Sequence, residues 1–278
     1  MYNRFFFEDD TTLSDETKTL ENYHSGTLTK TWVADEDALY IGSRLPFNHL
    51  YIKMGGTVND ISSVLTVEYW DGTEFQTAVD LLDETSPSGK TFSQSGFVNF
   101  SPDKDYAWSK DDTENVTGLT TKKIYDLYWI KLTVSENLTA SVIFSWIGQK
   151  FSDDNDIGTY YPDLLDSTLM GKFESGKSDW EEQHIAAASI IVQDLRAKGL
   201  IIERGQLVER EDLRLASVAK VAVIAYTPFD DDYSISLENA MKEYSHRINS
   251  YRPFIDEDLD GKADDNEMDY VQPTLQRR

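Results

Sequence analysis

The stretch "SVLTVEYWDGTEFQTA", Ser63 to Ala78, decides the fold class of the first half of this chain. Leu65, Val67 and Tyr69 alternate with Thr66, Glu68 and Trp70, the period of a β-strand. Apolar groups stand on both faces, which predicts one face in a core and the other partly covered. Asp71-Gly72 then separates this run from a second one, Phe75 to Ala78. Glycine tolerates the positive φ of a tight turn, so the two runs predict a hairpin.

The same grammar extends outward. "LYIGSRLPFNHLYIKMGG" (39–56), "SGFVNFSP" (95–102) and "LYWIKLTVSENLTASVIFSWIGQKF" (127–151) are short runs rich in β-branched and aromatic residues, punctuated by polar turns such as "SENLTA". No long helical period interrupts them. An antiparallel β-sandwich, jelly-roll-like, is expected over residues 31–154. Residues 1–30, with the cluster Phe5-Phe6-Phe7 followed at once by acids, read as an N-terminal arm or strand. That cluster is too short for the apolar region of a signal peptide and lacks a small-residue cleavage site.

Near residue 155 the period changes to that of helices. "SDWEEQHIAAASIIVQDLRAKG" (178–199) places Trp180, His184, Ala187, Ala188, Ile191 and Leu195 on one face. Ser178 with Glu181 three residues on suggests a capping box, and Gly199 suits the position after the helix. A second helix is expected from about Glu209 to Tyr226, with Ala216, Ala219, Ala222 and Ala225 allowing close approach. A third runs from about Ser236 to Tyr251, with Leu237, Met241, Tyr244, Ile248 and Tyr251 as an apolar seam. A shorter helix is expected around Leu164 to Leu169. The fold class is therefore α+β multidomain, a β-sandwich followed by a small helical bundle over residues 155–252. Residues 253–278 form an acidic loop and a closing segment.

Composition narrows the chemistry. The chain of 278 residues has no cysteine and four histidines, His24, His49, His184 and His246. Thiolate metal sites and cysteine nucleophiles are excluded, and no two histidines stand at metal-ligand spacing. There is no Gly-x-Ser-x-Gly, P-loop or dinucleotide fingerprint, so the chain is expected not to be an enzyme. No run of about 18 apolar residues suggests a membrane span. The formal net charge is −24, which disfavours tight binding to a phosphate backbone.

The most specific motif is "DEDLDGKADDNE", Asp256 to Glu267. Calcium takes six to eight hard oxygens, and this spacing offers them from one loop. Asp256, Asp258 and Asp260 supply the first carboxylates and Gly261 the sharp turn. Lys262 supplies a backbone carbonyl, Asp264 a direct or water-mediated contact, and Glu267 a closing carboxylate. "MDYVQPTLQRR" is too short and Pro-broken to be a second EF-hand helix, so the expectation is a solitary structural Ca²⁺ clasp. The alternative is a solvated acidic segment.

The helical text "YYPDLLDSTLMGKFESGKSDWEEQHIAAASIIVQDLRAKGLI" (160–201) with "EDLRLASVAKVAVIAY" (211–226) resembles the head–tail connector (adaptor) proteins of tailed bacteriophages. Residues 45–100 and 127–135 look like β-sandwich modules of phage structural proteins. The resemblance implies a virion protein in the neck region, made in the bacterial host cytoplasm. It implies a homo-oligomeric ring, usually a dodecamer, that touches the portal protein on one side and tail or neck proteins on the other while DNA passes through. It carries over no catalytic residue. The competing reading is a carbohydrate- or surface-binding sandwich anchored by its helical part; Trp70, Trp108, Trp129 and Trp146 are its candidate platforms, although the favoured expectation is that they fill the sandwich core.

Overall fold

The computed structural model describes residues 4–24, 26–103, 105–200 and 210–251. The described chain forms two compact units that divide after Gly148. The division precedes residue 154 because Lys150, Phe151 and Ser152 pack and bond with the helices that follow.

The first unit is built from twelve strands: β1 (Arg4–Asp9), β2 (Thr12–Asp15), β3 (Leu28–Lys30), β4 (Ala38–Ser43), β5 (His49–Met54), β6 (Leu65–Trp70), β7 (Phe75–Thr77), β8 (Val79–Asp83), β9 (Gly96–Ser101), β10 (Lys110–Asp111), β11 (Leu127–Val134) and β12 (Val142–Gly148). Helix α1 (Thr17–Glu21) links β2 to β3. One sheet has the order β2-β1-β4-β11-β6-β7, with β10 also against β11; the other has the order β3-β12-β5-β9-β8. All named strand pairs are antiparallel.

Of the arm or strand expected over residues 1–30, the described residues form strands: β1 and β2 lie in the first sheet and β3 in the second. The three phenylalanines explain why. Phe5 and Phe7 point into the core between the sheets, and Phe6 points to the opposite face beside Trp129, ring centroids 6.0 Å apart. Burying all three side chains is worth several kcal/mol, on the order of 2 kcal/mol each.

The alternation in β6 is resolved the same way. Leu65, Val67 and Tyr69 join the inter-sheet core, and Trp70 joins a second cluster on the sheet's outer face. That outer cluster is roofed by Val116, Leu119 and Ile124 from the loop between β10 and β11. The polar turn "SENLTA" carries the chain from β11 in one sheet to β12 in the other. Its two flanking runs are both strands, but each pairs with partners distant in sequence, a feature that local turn chemistry does not announce.

The second unit holds α2 (Asp154–Tyr160), α3 (Ser167–Phe173), α4 (Glu181–Ala197), α5 (Arg210–Tyr226) and α6 (Asp230–Ser250). A 3-10 turn at Pro162–Leu165 precedes α3, so the stretch Leu164 to Leu169, expected as one short helix, spans the end of that turn and the start of α3, joined at Asp166. Asp166 caps α3 by accepting from Thr168 N at 2.6 Å.

Helix α4 buries His184, Ala187, Ala188, Ile191 and Leu195, as its period predicts, and Gly199 follows it with φ +70°. Its N-terminus differs from expectation. The N-cap is Trp180, and Ser178 and Glu181 form no capping box. Trp180 is fully buried and donates its indole N–H to Leu164 O at 2.8 Å, which fixes the entry of the chain. The Glu181 carboxylate turns to Lys150 Nζ at 2.7 Å instead of back to the cap. Asp179 accepts from Glu181 N and Asp154 from Trp180 N, so side chains from outside the predicted box satisfy the free amides. The capping box that does exist is Asp153 with Asp156, at the start of α2.

Helix α5 buries Ala216, Ala219, Ala222 and Ala225. Helix α6 begins before the expected Ser236 and carries a non-helical residue, Tyr233, near its start. Tyr244, Ile248 and Tyr251 are buried as the seam requires. Met241 is not part of that seam: it is 52% exposed, and Ala240 takes the inward place. At an average of 3.6 residues per turn the inward stripe drifts, and a small residue lets α6 approach the alanines of α5.

Candidate functional site

The six residues expected to hold calcium, Asp256, Asp258, Asp260, Lys262, Asp264 and Glu267, lie outside the described residues. Among the described residues, no group of three or more His, Asp or Glu side chains is placed to hold a metal ion.

The tryptophans proposed as a carbohydrate platform are interior. Trp70, Trp108, Trp129 and Trp146 are each 6% exposed or less. Trp70 Nε1 donates to Asp111 Oδ2, Trp108 Nε1 to Trp129 O and Trp146 Nε1 to Glu21 O, so these polar tips are also spent on the fold. Trp108 fills the inter-sheet core, Trp70 and Trp129 the outer cluster, and Trp146 packs against Tyr23 and Tyr51, the ordinary use of a buried indole.

The most chemically suggestive cluster lies in the helical unit, and the sequence reading did not find it. Ser152 precedes α2, Asp154 opens α2, His184 sits on α4 and Ser217 on α5. Ser152 Oγ lies 2.8 Å from His184 Nδ1 and 2.7 Å from Ser217 Oγ. His184 Nε2 lies 3.2 Å from Asp154 Oδ1. These are the components of a Ser–His–Asp relay, with one ring nitrogen on the hydroxyl and the other on the carboxylate.

Access decides what the cluster can do. Ser152, His184 and Ser217 are each 0% exposed. A nucleophile must meet a substrate carbonyl, and among the described residues Ser152 Oγ bonds to His184 and Ser217. The chemistry left to the cluster is structural: it satisfies buried polar groups and ties three helices to the start of the unit. No local sequence signal could have found it, because its members are brought together from 32 and 65 residues apart.

Charged neighbours extend this polar interior. Lys150, itself 0% exposed, pairs with Glu181 at 2.7 Å. Burial pushes the Lys150 ammonium below its ordinary pKa, against the opposing pull of Glu181, Asp153 and Asp154. Asp156 accepts from Arg210 and Arg214, each at 3.5 Å. Burial raises its carboxyl, and the Asp153 N–H and the two guanidinium groups oppose that rise. Two tyrosines close the periphery: Tyr226 donates to Asp163 Oδ2 at 2.7 Å and Tyr244 to Asp194 Oδ2 at 2.5 Å. Burial raises the pKa of both phenols, reinforced by these carboxylates.

With the interior of the unit spent on its own fold, its functional surface is to be sought outside. Helix α6 keeps a second face. Ile235 is 75% and Met241 52% exposed. Beside Met241 lies an open groove of about 430 Å³, lined by Asp231, Ser234, Leu237, Glu238 and Met241. No described helix is long and apolar enough to cross a membrane.

No protein-family model, no curated protein and no solved structure matches the chain.

Proposed function

We propose that the chain is a structural protein of a tailed-phage virion, assembling into a ring in the neck that connects the portal to the tail and lets DNA pass. The observation that carries this reading is the second face of α6. The alanine ridge of α5 is consumed inside the unit, whereas Ile235, across α6 from Tyr244, and Met241, at the edge of the buried seam, remain in solvent. A short helical bundle with a completed interior and apolar side chains left outside is suited to association.

Two further features support it. The residue-level resemblance to head–tail connectors falls on the segments that build α3, α4 and α5. The net charge of −24 suits a conduit wall, since carboxylates repel the DNA backbone and keep it from adhering in transit. The ring would be cyclic, with one face of each subunit meeting a different face of the next. In this reading the sandwich braces neighbouring subunits or decorates the outside of the ring. The test is the assembly state of the purified full chain by native mass spectrometry, alone and with isolated portal rings. Closed oligomers, or saturable binding to portal, support the reading; a monomer that ignores portal overturns it.

A further inference from the structure

The outward face of α6 is apolar and acidic together. Asp231, Ser234, Ile235, Glu238 and Met241 are all exposed, with Ile235 and Met241 on two sides of this broad face, about 120° apart around the helix. Asp232 stands beside them, also exposed. One cation shares the stripe: Lys242 pairs with Glu238 at 2.5 Å, both side chains lying largely in solvent. An exposed pair of this kind contributes little and yields readily to a better partner.

The chain contains a segment of complementary chemistry. Residues 270–278, "YVQPTLQRR", have two arginines and no acid in a chain whose formal charge is −24. They lie outside the described residues. Val271 and Leu275 supply apolar side chains four residues apart. Arginine suits this role better than lysine, because its planar fork can take a carboxylate with two parallel hydrogen bonds.

We propose that segment 270–278 of one copy docks on the outward face of α6 of a second copy. Arg277 and Arg278 meet Asp231, Asp232 and Glu238, and Val271 and Leu275 cover Ile235 and Met241. Docking between copies is favoured over docking within one chain by charge. The connecting run Asp256 to Glu267 carries seven acids, and folding back along α6 would lay it against Glu238 and Glu243 of the same helix. Like charges at that range repel. Extending to a neighbour avoids the conflict and gives two strongly acidic copies a local attraction that outweighs their general repulsion. The inference rests on the reading of the chain as a self-assembling protein and names the contact that joins successive copies.

The absence of cysteine makes the test clean. An Ile235→Cys, Leu275→Cys double variant of the full chain is oxidised mildly and run without reductant. Docking between copies predicts covalent dimers and a ladder above them; a monomer of altered mobility alone would place the segment on its own helix and overturn the proposal. In parallel, sedimentation is compared for wild type, a chain lacking 270–278, Arg277→Glu/Arg278→Glu, and the latter combined with Asp231→Arg/Glu238→Arg. Truncation and the arginine reversal are expected to weaken association by on the order of tenfold or more, and the combined charge swap to restore it. Wild type that associates equally well without 270–278 overturns the docking and leaves the ring reading intact. Wild type that remains monomeric and does not bind portal overturns both.

Discussion

Asp71 and Gly72 show how much one turn can hold. Gly72 has φ +100°, and a Cβ there would lie 3.4 Å from the Ser109 side chain. Asp71 Oδ1 accepts from Thr73 N at 2.7 Å and Glu74 N at 2.8 Å, and Oδ2 accepts from Gln76 Nε2 at 2.8 Å. Gly72→Val is expected to cost on the order of 1–2 kcal/mol in a urea melt of the full chain, because a β-branched residue is forced into the left-handed region. An unchanged midpoint would contradict that geometry. Asp71 makes a pH prediction. Burial pushes its carboxyl up, but the bonds from Glu74, Thr73 and Gln76 outweigh that and hold it at about 2, below the usual 3.8. Its folded pKa is depressed, so its stabilisation is present above 3.8 and lost as pH falls through about 2. The stability difference between wild type and Asp71→Ala is expected to be constant near neutrality and to shrink across that window; a difference flat down to pH 2 would count against it. This turn was legible in the sequence because its chemistry is local. The capping role given to Ser178 was not, because Trp180 and Lys150, packing from a distance, decided where α4 begins and where Glu181 points.

At the scale of elements, periodicity located α4, α5 and α6 and the faces they bury, since burial of an apolar stripe is what stabilises short helices. It could not find what the helices do with their polar interior. His184 lay on an apolar face and reads from sequence as an ordinary buried histidine; the structure gives it Ser152, Ser217 and Asp154 as company. If the cluster only braces α2, α4 and α5, His184→Ala is expected to lower stability by about 1–3 kcal/mol through buried groups left without partners. In the same account Ser152 takes no label from a serine-directed fluorophosphonate in the folded chain. Stoichiometric labelling of Ser152 would show that the hydroxyl is reachable and reactive. The calcium proposal also belongs at this scale, because an EF-hand loop depends on its flanking helices. Helix α6, ending at Ser250, precedes the loop at Asp256 to Glu267, and the sequence after the loop, "MDYVQPTLQRR", is expected to be too short and Pro-broken for a second helix. Affinity is therefore expected at the weak end, on the order of 10⁻⁵–10⁻³ M by calorimetry, and to vanish in Asp256→Ala/Glu267→Ala. Equal heats for wild type and variant would reduce the segment to a solvated acidic run.

For the whole molecule, the sandwich-then-helices order was legible because the hydrophobic period switches from two to about 3.6 along the chain. The pairing of distant strands, such as β1 with β4 and β4 with β11, was not, since register between remote segments leaves no local mark. The candidate surface on α6 was half legible: Met241 was assigned to the buried seam, and only packing against α5 showed that Ala240 takes its place and turns Met241 outward. The account of function rests on that outward face and on association between copies. Native mass spectrometry of the purified full chain, with electron microscopy of the same sample, tests it most directly. The account predicts closed rings of a single subunit number, dissolved by Ile235→Asp/Met241→Asp while the fold is retained. A chain that stays monomeric at every concentration, with and without portal, would contradict it.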